Sequence, residues 1–111
     1  MKGCVCKRTY HRIRGMKLQN TAEGIRAGIF NNPQIFTNPP NCIAEFTNII
    51  TDYTNKRIAH DQEGSVKNHD YIIARKYIME LIDRFADNVD QVSKCDSAII
   101  ALAGFKVSYD S

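Results

Sequence analysis

The sequence contains no apolar run approaching the roughly 18 residues that a helical membrane span needs, and this excludes such a span. Residues 1–17 contain no acid, and they also lack the apolar segment of a secretory signal. No signal peptide is therefore expected, and the cytoplasm is one expected location. Proline is scarce: Pro33, Pro39 and Pro40 are the only three, all within "NNPQIFTNPPNCIAEF". No glycine-rich phosphate loop is present, and no serine or cysteine stands beside a base at a recognised catalytic spacing. These gaps point away from an enzyme, and no cofactor or small-molecule substrate is expected.

What the cysteines lack is a disulfide pattern. Cys4, Cys6, Cys42 and Cys95 are irregularly spaced, and Cys4 and Cys6 are too close to bridge each other comfortably. A helical core of this size needs no staple, so thiols in a reducing compartment are the favoured state. "CVCKRTYH" does bring Cys4, Cys6 and His11 together in sequence. Structural zinc sites use pairs two to four residues apart plus a second pair, however, and a single intervening residue departs from that. No metal is expected.

What is present fits one domain. The 111 residues are 43% hydrophobic and 24% charged, and a chain of this length buries roughly 65% of its unfolded surface on folding. The charge is segregated. Lys2, Lys7, Arg8, Arg12, Arg14 and Lys17 make residues 1–17 a basic arm, whereas the rest holds nine basic and twelve acidic residues. The division is thus a basic N-terminal arm, 1–17, and a helical bundle domain, 18–111.

The arm shows neither clean helical nor clean alternating periodicity and reads as an extended arm or a short strand, closed by Gly15. From Leu18, apolar residues Ala22, Ile25, Ile29 and Phe30 recur at helical steps. Asn20 or Thr21 would cap this first helix and Glu23 would lie in its first turn. It stops at Asn31–Pro33, because the residue before proline is pushed out of the helical region. A second helix is expected from Asn41 as N-cap to about His60, with Ile43, Phe46, Ile49, Ile50 and Tyr53 buried and Gly64 as its break.

The third helix carries the clearest pattern. Tyr71, Ala74, Ile78, Leu81, Phe85 and Val92 form a stripe that Ile72, Ile82 and Val89 widen, starting near Val66 or Asn68 and ending near Val92. Asn88 is the polar step in the stripe, a place for fixing register or for plain exposure. A short fourth helix follows, capped by Asp96, with Ile99, Ile100 and Leu102 packing, Gly104 just past its end and Phe105 folding back on Ile100. The tail is extended. The fold class is therefore all-α: an up-and-down bundle of three long helices plus a short fourth, with an extended N-terminal arm. The three prolines make the connector stiff, and Ile35 and Phe36 anchor it over the end of the bundle. "NPPN" lacks the PxxP spacing that SH3-like partners read.

The order "NNPQIFTNPP", "QEGS", "ARKYIMELIDRFADNVDQV" and "AIIALAGFKV" resembles a poorly characterised bacterial and prophage-encoded family of small helical bundles, often N-terminal to fibronectin type III modules. The likeness covers about Lys17 to Val107. It implies a four-helix bundle acting as an assembly or attachment part, with no catalytic residue to carry over. With Ser111 as its last residue and the basic arm added, the chain is expected to be a free-standing particle component.

Two groups of residues are candidates for contacts. His60, Asp61, Glu63, His69 and Asp70 cluster at the turn between the second and third helices, where solvated charges are expected in any case. The arm cations Lys2, Lys7, Arg8, Arg12, Arg14 and Lys17, with Tyr10 and His11 between them, suit either an acidic neighbouring subunit or a phosphate backbone. The leading expectation is a non-enzymatic structural protein of a phage or phage-like particle, a virion component that docks on protein subunits or on itself as an oligomer. The alternative is a small nucleic-acid-binding or regulatory protein using the arm.

Overall fold

The computed structural model describes residues 4–63 and 68–109. Strand β1 (Cys4–Cys6) and a 3-10 turn (Thr9–Arg12) precede helix α1 (Gly15–Phe30). Helices α2 (Ile43–Glu63), α3 (Asn68–Ser93) and α4 (Ser97–Leu102) follow, and β2 (Val107–Tyr109) closes the chain. The two strands pair antiparallel, Cys4 opposite Tyr109 and Cys6 opposite Val107. The two ends of the described residues are thus tied into one small ribbon.

Helix α2 lies between α1 and α3, and α3 also carries α4 and β1. The Cα trace measures 49 × 32 × 16 Å, with a radius of gyration of 14.7 Å. A compact chain of this length would have a radius of about 13 Å. The bundle is a flattened slab and leaves broad faces of α2 and α3 open.

The core follows the expected stripes. Leu18, Ala22, Ile25 and Ile29 of α1 are buried, as are Phe46, Ile50 and Tyr53 of α2 and Ala74, Ile78, Leu81, Ile82, Phe85 and Val89 of α3. Phe30, Phe46 and Phe85 meet edge to face, Phe46 and Phe85 with centroids 4.8 Å apart. Such pairs add about 0.5–1.5 kcal/mol each to the burial itself. Three expected core residues face water: Ile43, Ile72 and Leu102. Ile43 is the first residue of α2 and Leu102 the last of α4, each with its side chain turned outward at a helix end. Ile72 sits one step off the α3 stripe, whereas Met79 and Ala86, not expected, are buried in it.

The helix ends also differ from expectation. Helix α1 begins at Gly15, three residues before Leu18, and Asn20, Thr21 and Glu23 are inside it. Its start is fixed by tertiary contact rather than by a side-chain cap. The Tyr53 hydroxyl donates to the Gly15 carbonyl (3.1 Å), and the Gly15 N–H donates to the Tyr71 hydroxyl (3.3 Å). Helix α2 starts one residue after Cys42, whose N–H donates to Glu45 (3.1 Å). That is the reciprocal half of a capping box, with Cys42 and not Asn41 in the cap position. The helix continues past His60 to Glu63. Gly64 and Val66 lie outside the described residues.

The connector is anchored as expected. Phe36 is buried and Ile35 packs on the core. Asn88 donates to the Asn38 carbonyl (3.3 Å), and Arg84 donates to Asn41 (3.3 Å), so α3 holds the connector from the side. The polar step at Asn88 fastens a loop. At the other end Asp96 accepts from Ala98 N–H (2.9 Å) and starts α4. Phe105 N–H donates to Ile100 and Gly104 N–H to Ala101, with Gly104 at φ +90°, a Schellman ending.

Two glycines let α4 come close. A Cβ on Gly28 would sit on the Leu102 carbonyl oxygen and 2.7 Å from the Ala103 carbonyl carbon. A Cβ on Gly104 would lie 2.8 Å from the Gly24 carbonyl oxygen. The end of α4 therefore crosses α1 backbone against backbone.

Candidate partner-contact site

The arm is not a free tail over its described length. β1 aligns its first residues, and the 3-10 turn swings Arg8, Tyr10 and His11 over α3. There Asp83, Asp87 and Asp90, at helical steps of four and three, present carboxylates along one face. Arg8 places one guanidinium nitrogen 2.9 Å from Asp87 and 2.9 Å from Asp90, and the other 3.8 Å from Asp83. The Tyr10 hydroxyl donates to Asp83 (2.6 Å), and His11 Nε2 lies 2.8 Å from the same oxygen. Asp90 also accepts from the Cys6 N–H (2.7 Å). From the other side Arg75 donates to the carbonyls of His11 (2.8 Å) and Ile13 (3.2 Å). The acidic surface that the arm was expected to find on a neighbour is present on its own α3.

Burial, reinforced by the Asp83 hydrogen bond, pushes the Tyr10 hydroxyl well above its usual range. Burial and Asp90 do the same to the Cys6 thiol. Both groups therefore stay neutral across physiological pH. A neutral Tyr10 keeps its proton for the bond to Asp83.

The six arm cations thus divide. Arg8 is engaged by the three aspartates. Lys7 is exposed, and its backbone N–H donates to Lys106 (2.7 Å). Arg12, Arg14 and Lys17 are exposed, and none of these four makes an ion pair among the described residues. Lys2 lies outside the described residues. Lys7 and Lys106 line a depression of about 250 Å³ with Thr9, Tyr10, Thr21 and Phe105.

Cys4, Cys6 and His11 do not converge. Cys6 is buried, Cys4 lies against Cys95, and His11 reaches Asp83. Of the turn cluster, His60 stacks on Tyr71 with centroids 4.7 Å apart. Among the described residues no three His, Cys, Asp or Glu are grouped to hold a metal ion, and no helix is long and apolar enough to cross a membrane.

A second surface escaped the sequence reading. Tyr77 and Ile73, one turn apart on α3, are 56% and 38% exposed. Tyr77 borders an open groove of about 320 Å³ between α2 and α3, lined also by Ile49, Asp52, Glu80 and Arg84. The available signal was the second apolar pair on α3, at the four-residue step, off the main stripe.

Comparison of the chain with protein-family models, with curated proteins and with solved structures finds no match.

Proposed function

We propose that this chain is a non-enzymatic structural or assembly protein, a component of a phage or phage-like particle that works by docking on protein subunits. The observation carrying this reading is the exposed pair Ile73 and Tyr77 on α3, with Tyr77 at the edge of the groove that half-buried Ile49 also lines. Aromatic anchors in shallow, partly apolar grooves are what protein interfaces are built around. The rim holds charges of both signs, Asp52 and Glu80 against Arg84. That favours another protein surface over a polyanion. The particle assignment draws on the resemblance carried by "NNPQIFTNPP" and "AIIALAGFKV".

Light scattering after size-exclusion chromatography tests it, together with pull-down from the source particle. Wild-type protein should associate with itself or a particle subunit, and Tyr77→Arg should abolish that while leaving the helical circular dichroism unchanged. A monomer without a particle partner overturns the reading.

A second reading, a small nucleic-acid-binding protein, is favoured by one observation: Lys7, Arg12, Arg14 and Lys17 remain exposed and outside the ion pairs of the arm. If these four contact phosphates, affinity falls with salt at a log–log slope of about −0.9 per contact. Arg12→Ala, Arg14→Ala and Lys17→Ala together should then remove most of that slope. Binding that is absent or insensitive to salt rejects this reading.

A further inference from the structure

Cys4 and Cys95 stand 91 positions apart in the chain, yet each touches the other's backbone. The Cys4 N–H donates to Cys95 Sγ at 2.6 Å, and the Cys4 thiol donates to the Cys95 carbonyl at 2.6 Å. Cys4 is buried and Cys95 is exposed to solvent. Cys95 is held there by an uncommon backbone. Lys94 and Cys95 have φ of 46° and 71°, left-handed values that side-chain-bearing residues adopt at a cost in strain. The turn between α3 and α4 thus holds the Cys95 sulfur against the Cys4 backbone, and the Cys4 sulfur against its own, at a cost in strain.

We propose that Cys4 and Cys95 form a redox modification site, a dithiol that a small-molecule disulfide oxidises to an internal bridge. The exposed Cys95 thiolate attacks the reagent disulfide, giving a mixed disulfide and releasing one reagent thiol. Rotation about the Cys4 side chain then brings its sulfur onto the Cys95 sulfur. Displacement of the second reagent thiol closes the Cys4–Cys95 bond. Two cysteines lose two electrons and two protons, and one reagent disulfide becomes two thiols. In the reduced state the hydrogen bond with Cys95, then burial, then Asp96 and Asp90 push the Cys4 thiol up to about 11. Cys4 is accordingly the slow, resolving partner, and Cys95 is the one that meets the reagent.

The bridge would fasten the N-terminal strand to the α3–α4 turn and close a loop spanning most of the chain. By the loop-closure argument such a bridge stabilises strongly, and for a domain of this size the midpoint of thermal unfolding should rise by about 10 °C or more.

The test treats dilute full-length Cys42→Ser protein with oxidised glutathione. The expected product is a monomer that has lost two hydrogen atoms in mass and carries no glutathione. Fragmentation of its linked peptides joins Cys4, not Cys6, to Cys95, and dithiothreitol reverses both the mass change and the rise in melting temperature. Cys95→Ser on the same background should show no rise. The proposal is overturned by glutathione adducts without an internal bond, by cross-linked dimers, by a bridge through Cys6, or by a rise that survives Cys95→Ser.

Discussion

Arg8 and Asp90 are 82 positions apart in sequence and 2.9 Å apart in space, and their ion pair fastens the N-terminal arm to the longest helix. Asp90 does two things at once, since its other oxygen accepts from the Cys6 N–H at 2.7 Å. The arm is held by charge on one side of β1 and by the β2 strand on the other.

Removing either partner should therefore have unequal effects. Arg8 is about one-third exposed at its side chain and Asp90 about one-fifth, so solvent screens the pair and their coupling in a double-mutant cycle should be about 1 kcal/mol. Arg8→Ala alone should cost about 1 kcal/mol. Asp90→Ala should cost about 2 kcal/mol, because it also strands the Cys6 N–H. Urea unfolding of the two single variants and the double variant measures all three quantities, and equal costs for the single variants would contradict the double role of Asp90.

Gly28→Ala tests the crossing of α4 over α1. In an exposed helix interior this change would stabilise by about 1 kcal/mol. Here the added methyl meets the Leu102 and Ala103 backbone, which has no rotamer to move. Net destabilisation of about 2 kcal/mol is expected, read as a lower urea midpoint. A stabilised variant would mean that the helices separate without cost.

On α2 the face predicted from periodicity splits sharply. Phe46→Ala removes a fully buried ring that meets Phe30 and Phe85, and it should cost about 3–5 kcal/mol. Ile43→Ala, at a position 51% exposed, should change stability by no more than about 0.5 kcal/mol. Similar losses at both sites would place the start of α2 inside the core.

This split shows what a sequence of this kind displays. The α3 stripe through Ile78, Leu81 and Phe85 was legible because helical burial repeats locally, every three or four residues. Asp96, Gly104 and Phe105 were legible because caps are written within a few residues of the helix they end. The start of α1 was not, since Gly15 is held by Tyr53 and Tyr71, distant in sequence and without a local signature. The role of Gly28 depends on where α4 crosses. The arm was legible in composition but not in destination. Six cations announce that acids will be met, whereas only the folded chain shows that Asp83, Asp87 and Asp90 meet Arg8. Tyr77 and Ile73 were hidden for another reason: they lie off the main α3 stripe, and a sequence does not show which apolar residues beside a stripe stay uncovered.

The last prediction concerns alkaline pH. Four groups that lose a proton on ionising are held neutral by the fold. Burial first, then Asp90, acts on Cys6; burial first, then the Asp83 bond, acts on Tyr10; burial first, then the bond with Tyr71, acts on Tyr53. The hydrogen bond with Cys95 comes first for Cys4, whose thiol rises from 9.0 to about 11. In the unfolded chain the cysteines ionise around pH 9.0 and the tyrosines around pH 10.0. Above pH 9 the unfolded state therefore binds fewer protons than the folded state, and stability falls as pH rises. These contributions are fully present below pH 9. That of Cys4 is lost progressively up to about pH 11, where its folded form also ionises. Thermal melts of reduced protein at constant ionic strength should give a midpoint insensitive to these groups between pH 7 and 9 and a steep decline beyond. Tyr10→Phe should lower the midpoint at pH 7, through the lost Asp83 bond, and make the alkaline decline shallower. A midpoint unchanged from pH 9 to 11 would mean that Cys6 and Tyr10 are open to water, and that the arm does not rest on α3 in solution.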